Sequence, residues 1–565
     1  MKKTITAVFA LCAACGAMAQ SWPAAAPEAR PGTRWWWLGS AVDSLNIDWN
    51  IGEYARTGIG AVEITPIYGV QGNDANNIQY LSPEWMRQLR NVRDAAARNG
   101  VLVDMNQGTG WPFGGPEVSI DDAACKALFI IDTIPAGADP VKTLPDKERD
   151  IARLIAENRR SLPLGQDEVI RLYQSRTRQA VKRAAPGGEG LVIDHFDRNA
   201  VARYLDKFDR AFTSGGVPYP ETFFNDSYEV YGANWTPTLL DEFEARRGYR
   251  LQEKLPELLG FVEDGNVVLS DYRETLAELL LENFTRQWVD WAHARGVKVR
   301  NQAHGSPANL IDLYAAVDIP EIEGFGLSDF GIKGLRTDPG YTKKNDSDVS
   351  MLKYAPSAAH ITGKPLTSSE TFTWLTEHFR TSLSQMKPDL DLMFTCGVNH
   401  IFFHGTAYSP KDDPWPGWKF YASVDMSPTN SIWRDAPAMM DYITLSQSFL
   451  QRGQPDNDFL VYLPVRDLWR QRLKPGEKGL SMAFSIHDMG KLAPDFIKSV
   501  MEIDSLGLDC DYISDNYLLT TGFSHGKLRT AAGTEYKALL IPGSGILTTS
   551  LKAHLDSLSA LGANI

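Results

Sequence analysis

Eight short, mostly apolar runs recur between residues 34 and 406, and most are followed by a stretch with helical character. They are residues 34–39 (RWWWLG), 60–67 (GAVEITPI), 101–108 (VLVDMNQG), 221–229 (ETFFNDSYE), 297–305 (VKVRNQAHG), 319–325 (IPEIEGF), 365–372 (PLTSSETF) and 400–406 (HIFFHGT). Apolar strands alternating with helices imply a parallel sheet buried on both faces. Eight such units fit one closed (β/α)8 barrel of the TIM type, whose chemistry sits at the C-terminal ends of its strands. Several runs end in polar residues, and Glu229, Glu323 and Glu370 fall at three of those ends.

At 565 residues the chain exceeds a single core, so further domains are expected. Residues 20–450 read as the barrel. An insertion over its mouth is expected at about 117–190, where the gap between the third and fourth strands far exceeds a normal connection. Residues 451–565 read as a doubly wound α/β domain of flavodoxin or amidotransferase type, with strands at 459–465, 511–514 and 539–542. Its sheet reads as incomplete, as expected of a fragment or of a chain whose partner elements lie beyond residue 565.

Lys2 and Lys3, the apolar run 5–14 and Ala17-Met18-Ala19 form the pattern of a secretory leader over residues 1–19. The apolar run is too short for a stable membrane span. A secreted or periplasmic protein is expected, with lipid attachment at Cys15 disfavoured because Leu is missing three residues before it. Cys125, Cys396 and Cys510 then remain, which suggests neither a disulfide framework nor a zinc site. The net charge of −13, without a basic stripe, argues against a nucleic-acid partner.

Two carboxylates flanking a glycosidic bond suffice to hydrolyse it. The fourth run ends in Asn225-Asp226-Ser227-Tyr228-Glu229, where Glu229 suits a proton donor to a leaving-group oxygen, although a strand running out into a polar loop would read the same way. Asn301, Gln302 and His304 after the fifth run suit sugar hydroxyls. Alternation puts Glu321 and Glu323 on one face, where they would repel unless a cation or substrate stood between them. Glu370 ends the seventh run, and Asp104, Asn106, Gln107, Glu63, His400 and His404 are further candidates. Nucleophile-elbow, dinucleotide, Walker and HExxH motifs are missing from these ends, and nothing favours a triad of Ser227, His304 and Asp226.

Taken together, PGTRWWWLGSAV, LVDMNQGTGWPFGGP, FNDSYEV, NQAHGSP, PEIEG and SSETFTW resemble the glycoside hydrolase family 106 α-L-rhamnosidases. The resemblance implies a barrel, inversion and an active-site Ca2+. It also implies Glu229 as general acid and Glu370 as general base, with Glu323 the competitor for base or calcium ligand. Family members continue into β-sandwich domains, which this chain does not reach. The expected reaction is release of α-L-rhamnose from plant glycans or glycosides. Glu323, Glu321 and Asp226 are the candidate calcium ligands, since hard oxygens suit that ion. Trp111, Phe113 and Trp374 are candidates to receive the 6-methyl group of rhamnose, with rim packing the alternative. Two other readings stay open: a retaining glycosidase of β-galactosidase type, and a non-catalytic carbohydrate-binding protein.

Overall fold

The computed structural model describes residues 22–262, 266–343, 347–375, 379–472, 479–543 and 545–565. The leader-type segment at 1–19 lies outside these residues. Eight parallel strands close into a barrel: β1 (Gly32–Leu38), β2 (Ala61–Ile67), β3 (Leu102–Asn106), β4 (Thr222–Asn225), β5 (Lys298–Asn301), β6 (Ile319–Phe325), β7 (Ser368–Thr373) and β8 (His400–Ala407). Each pairs with its neighbours in chain order, and β8 closes on β1.

Period-two alternation divides each strand. Trp35, Trp37, Val62, Ile64, Val103, Met105, Phe223, Val299, Ile322, Ile401 and Phe403 point outward into the main hydrophobic core beneath the helices. The residues between them fill the barrel, where the charged side chains of Arg34, Glu63, Asp104, Arg300, Glu321 and Glu370 are buried among aromatic ones such as Trp36 and Phe402. The run RWWW is therefore not a fully apolar strand, because Arg34 faces into the barrel. It is the inward residue next to the outward Trp35.

The helices begin and end where local chemistry dictates. Pro83–Asn99 starts behind Ser82, whose hydroxyl accepts from Trp85 N–H at 3.2 Å, and stops at Gly100 in the left-handed region. Before β5 the helix Asn266–Leu279 runs on through a π-helical stretch, Leu280–Arg286, into Gln287–His293.

Between β3 and β4 the chain builds an antiparallel sheet of Cys125–Pro135, Gln166–Arg176 and Arg153–Leu162. Its return leg reaches the barrel mouth, where Trp111 and Lys182 exchange backbone hydrogen bonds of 3.2 and 2.8 Å. Beyond the helix Ala436–Leu450, strand Phe459–Tyr462 pairs in parallel with Cys510–Ile513 and Ala538–Leu540. Helices Pro494–Ser505 and Thr549–Ala560 accompany this sheet. A small antiparallel sheet (Gly522–Ser524, Lys527–Arg529, Glu535–Tyr536), unforeseen in the sequence, lies between Cys510–Ile513 and Ala538–Leu540 in the chain. Cys125, Cys396 and Cys510 are buried free thiols.

Candidate active site

Below the barrel mouth lies a buried charge network. Arg34 donates from Nε to Glu63 (3.0 Å) and from one terminal nitrogen to Asp226 (3.0 Å) and Glu370 (3.3 Å). Arg300, fully buried, pairs with Glu63 and Glu321 and lies 3.4 Å from Asp104. Its guanidinium sits 3.6 Å from the centroid of the Phe402 ring. Burial opposes the charge of Arg34, but Glu63, Asp226, Glu370 and Glu321 outweigh it and keep the guanidinium protonated. Neither arginine was singled out in the sequence. For Arg34 the signal that could have found it is an inward arginine in register with Glu63 on the neighbouring strand; Arg300 has Phe224 and Ile319 in register and gives no such signal.

Above this floor opens a cavity of about 630 Å³ whose lining includes Glu229, Glu323, Glu370, Asp226, His404 and Trp111. Glu229 accepts from Trp111 Nε1 at 3.1 Å and Tyr231 Oη at 2.6 Å, and is in contact with the Lys182 ammonium. Burial lowers the pKa of Lys182, but Glu229 and Tyr231 more than offset this and keep it charged. Lys182 and Tyr231 lie on loops far apart in the chain, so no motif announces them.

Glu323 and Glu370 have different surroundings. His304 Nε2 lies 2.5 Å from Glu323 and its Nδ1 3.1 Å from Tyr314 Oη. Burial works against both charges of this pair, but each partner outweighs it in the other: Glu323 raises the His304 imidazole above its ordinary value, and His304 lowers the Glu323 carboxyl below its own. Glu370 instead meets Thr373 Oγ1 (2.6 Å), Gln302 Nε2 (2.7 Å) and His404 Nε2 (3.3 Å). Burial raises its pKa; Arg34 opposes the rise and Glu323 adds to it. Asp226 is raised likewise, by burial first, with Arg34 opposing and Glu370 adding. His404 Nδ1 donates to the Ala422 carbonyl at 2.5 Å. Burial and then Arg34 push its pKa down to about 3, leaving a neutral imidazole with a bare Nε2 beside Glu370.

Other expected residues take different places. Gln302 lies beneath the cavity, bridging Glu370 and, at 3.0 Å, Glu321. Asn301 alternates with the inward Arg300 and Gln302, and its Oδ1 accepts from Asn225 at 2.8 Å. Asp104 belongs to the Arg300 network under the floor. Asn106 donates to the Gly110 carbonyl at 2.9 Å and so holds the loop that carries Trp111. Gln107 accepts from Trp288 and His400 meets the Glu28 carbonyl, both away from the cavity. Phe113 stacks on Tyr204 within the core.

Trp374 also leaves the cavity wall. Phe372 adopts φ 65°, a bend two residues after Glu370, and Trp374 turns into the core against it. Leu375, Phe325 and Phe420 supply apolar wall in its place.

Glu321 is corrected as a metal ligand. Arg300 and Ser368 Oγ (2.7 Å) hold one of its oxygens and Gln302 the other. The repulsion expected between Glu321 and Glu323 is thus relieved by Arg300 for one and His304 for the other. Among the described residues, no three His, Cys, Asp or Glu side chains are gathered into a metal centre.

Comparisons with known proteins place this site in context. The glycoside hydrolase family 106 pattern, described as alpha-L-rhamnosidase, matches residues 159–484, more than half the chain. A Formosa agariphila protein named "Putative beta-glucuronidase" is 25% identical over 95% of this chain. The chain spans about half of that relative's length (48%). The rhamnosidase from Novosphingobium sp. PP1Y superimposes with a TM-score of 0.74 at 19% identity, covering 96% of this chain and 69% of that one. A β-galactosidase from Marinomonas ef1 gives 0.55 at 11% identity, covering 94% and 74%. At such identities the two structures attest a shared fold.

Proposed function

The chain belongs to the family 106 glycoside hydrolases, the alpha-L-rhamnosidase family, and on that premise we propose that it releases L-rhamnose from α-L-rhamnosides of plant glycans by one inverting displacement. The observation that carries this reading is the gathering of Glu229, Glu323 and Glu370 around one cavity at the C-terminal mouth of the barrel. Glu229 is the acid and Glu370 the base. Glu323 is engaged by His304, which lowers its pKa, whereas Glu370 has a pKa raised toward neutrality, where a general base works best.

In the proposed step Glu370 takes a proton from water as the water oxygen bonds to the anomeric carbon. The bond from that carbon to the leaving-group oxygen breaks, and the oxygen takes the proton of Glu229. While Glu229 carries its proton the leaving-group oxygen replaces Lys182 beside it. Lys182 then stabilises the carboxylate left behind. Glu229 follows β4 and Glu370 lies on β7, three places apart in the barrel, so the two carboxylates enter the cavity from different strands, as an inverting pair with the attacking water between its members requires. Phe420, stacked 3.9 Å from Trp36, and Leu375 offer the 6-methyl group an apolar wall. Export through the leader-type N-terminus would bring the enzyme to a polymeric substrate.

Calcium remains part of the proposal without Glu321. Asp226 and Glu323 line the cavity and would offer such an ion hard carboxylate oxygens, leaving Glu370 free to act as the base. Bound calcium would neutralise carboxylates and accept sugar hydroxyl oxygens. The test is a panel of nitrophenyl glycosides assayed after chelation and again with calcium. Cleavage of the α-L-rhamnoside, restored by calcium, is expected. Cleavage of only the β-glucuronide or β-galactoside overturns the substrate assignment, and full activity in metal-free protein removes calcium.

The pH profile checks the base. Glu370 acts when ionised, so kcat/KM falls as pH drops through its raised pKa. The acidic limb should therefore lie well above the ordinary glutamate value of about 4.3. A limb at or below that value contradicts the assignment.

A further inference from the structure

The cleft does not end at the acid. Ser227, Glu229 and Glu323 line both the cavity described above and a neighbouring one of about 380 Å³. The far wall of the second cavity comes from outside the barrel. It is built by Ser481, Ala483, Ser485 and His487, on a segment that follows the first strand of the C-terminal unit. Tyr231 and His304 face them from the barrel side.

This wall is anchored in two ways. Phe484, buried, accepts from Gly305 N–H at 2.8 Å and donates to the Ser306 carbonyl at 2.9 Å, docking the segment on the loop after β5. Gly305 has φ 86°, and a Cβ there would stand 2.4 Å from the Tyr228 carbonyl, so only glycine lets this loop pass so close to the one carrying Glu229. The second anchor is Arg273, buried on the helix Asn266–Leu279. Its guanidinium donates to the carbonyls of Trp469 (2.7 Å), Gln471 (2.8 Å), Leu480 (2.8 Å) and Gly479. Burying a cation on carbonyls alone is costly. Here it fixes the chain that leads into the segment.

We infer that the second cavity is the subsite for the leaving group, the neutral sugar to which rhamnose is attached; this rests on the rhamnosidase reading above. The first cavity has Asp226, Glu370, Thr373 and His404 around its inner part, which suits the sugar being attacked. An acid on the border of two cavities protonates the oxygen joining their occupants. Hydroxyls and imidazoles beside Val230, Pro307 and Ala483 suit the mixed polar and apolar faces of a hexose. No lysine or arginine lines this cavity among the described residues, and the imidazole of His304 is already engaged by Glu323, which disfavours a uronic acid there.

Two substrates test the subsite. α-L-Rhamnosyl fluoride has a leaving group too small to use it, whereas a rhamnosyl-hexose disaccharide must fill it. Ala483→Trp, at an exposed position, should lower kcat/KM for the disaccharide at least tenfold more than for the fluoride, mainly through KM. His487→Ala should shift the ratio the same way by less, and decides the matter alone if Ala483→Trp does not fold. Equal losses on both substrates would overturn the subsite. Wild-type protein that cleaves neither substrate would instead overturn the rhamnosidase reading, and the subsite with it.

Discussion

Glu229→Gln should slow hydrolysis of an alkyl or glycosyl α-L-rhamnoside by about 10²–10⁴-fold, the usual contribution of a general acid, while sparing the nitrophenyl rhamnoside far more. The difference follows from leaving-group chemistry. A sugar alkoxide is a poor leaving group unless its oxygen is protonated in the transition state, whereas a nitrophenolate leaves unaided. The amide keeps the shape of the side chain and can still meet Trp111 and Tyr231. Parallel loss on both substrates would mean that Glu229 binds or positions substrate and that the proton comes from elsewhere.

Arg34→Met should be the most damaging single change to the fold of the site. It leaves Glu63 and Glu370 buried with one cation fewer and removes the partner 3.0 Å from Asp226. Breaking a buried ion pair by deleting one partner typically costs about 3–5 kcal/mol. Chemical denaturation should show a loss of that order, and Glu370, relieved of the cation that opposes its rise, should titrate higher still. The surface pair Arg98–Asp48 provides the contrast, since both side chains are more than half exposed and Arg98→Ala should scarcely move the midpoint. Equal effects at the two positions would contradict the structural role given to the charge network.

Much of the frame was legible in the sequence because barrel strands announce themselves by apolar alternation and by polar ends. Glu229, Glu323 and Glu370 were legible for the same reason: each is a carboxylate where a buried strand would otherwise stay apolar. Asn301 was misplaced by reading the polar letters NQAH as one group, when alternation turns Asn301 away from Arg300 and Gln302. Trp374 was misplaced because the bend at Phe372 is not visible in the letters SSETFTW. Arg34 was hidden among tryptophans. Lys182, and the wall formed by Ser481, Ala483, Ser485 and His487, depend on chain segments that meet only in three dimensions, and no spacing rule reaches that far.

The stereochemistry of the first product tests the central claim most directly. If Glu370 is a base, water attacks from the face opposite the leaving group, and proton NMR in the first minutes of turnover shows β-L-rhamnose before mutarotation mixes the anomers. An initial α anomer would mean two successive inversions through a covalent glycosyl-enzyme. That result would make the second carboxylate a nucleophile and contradict the single-displacement mechanism.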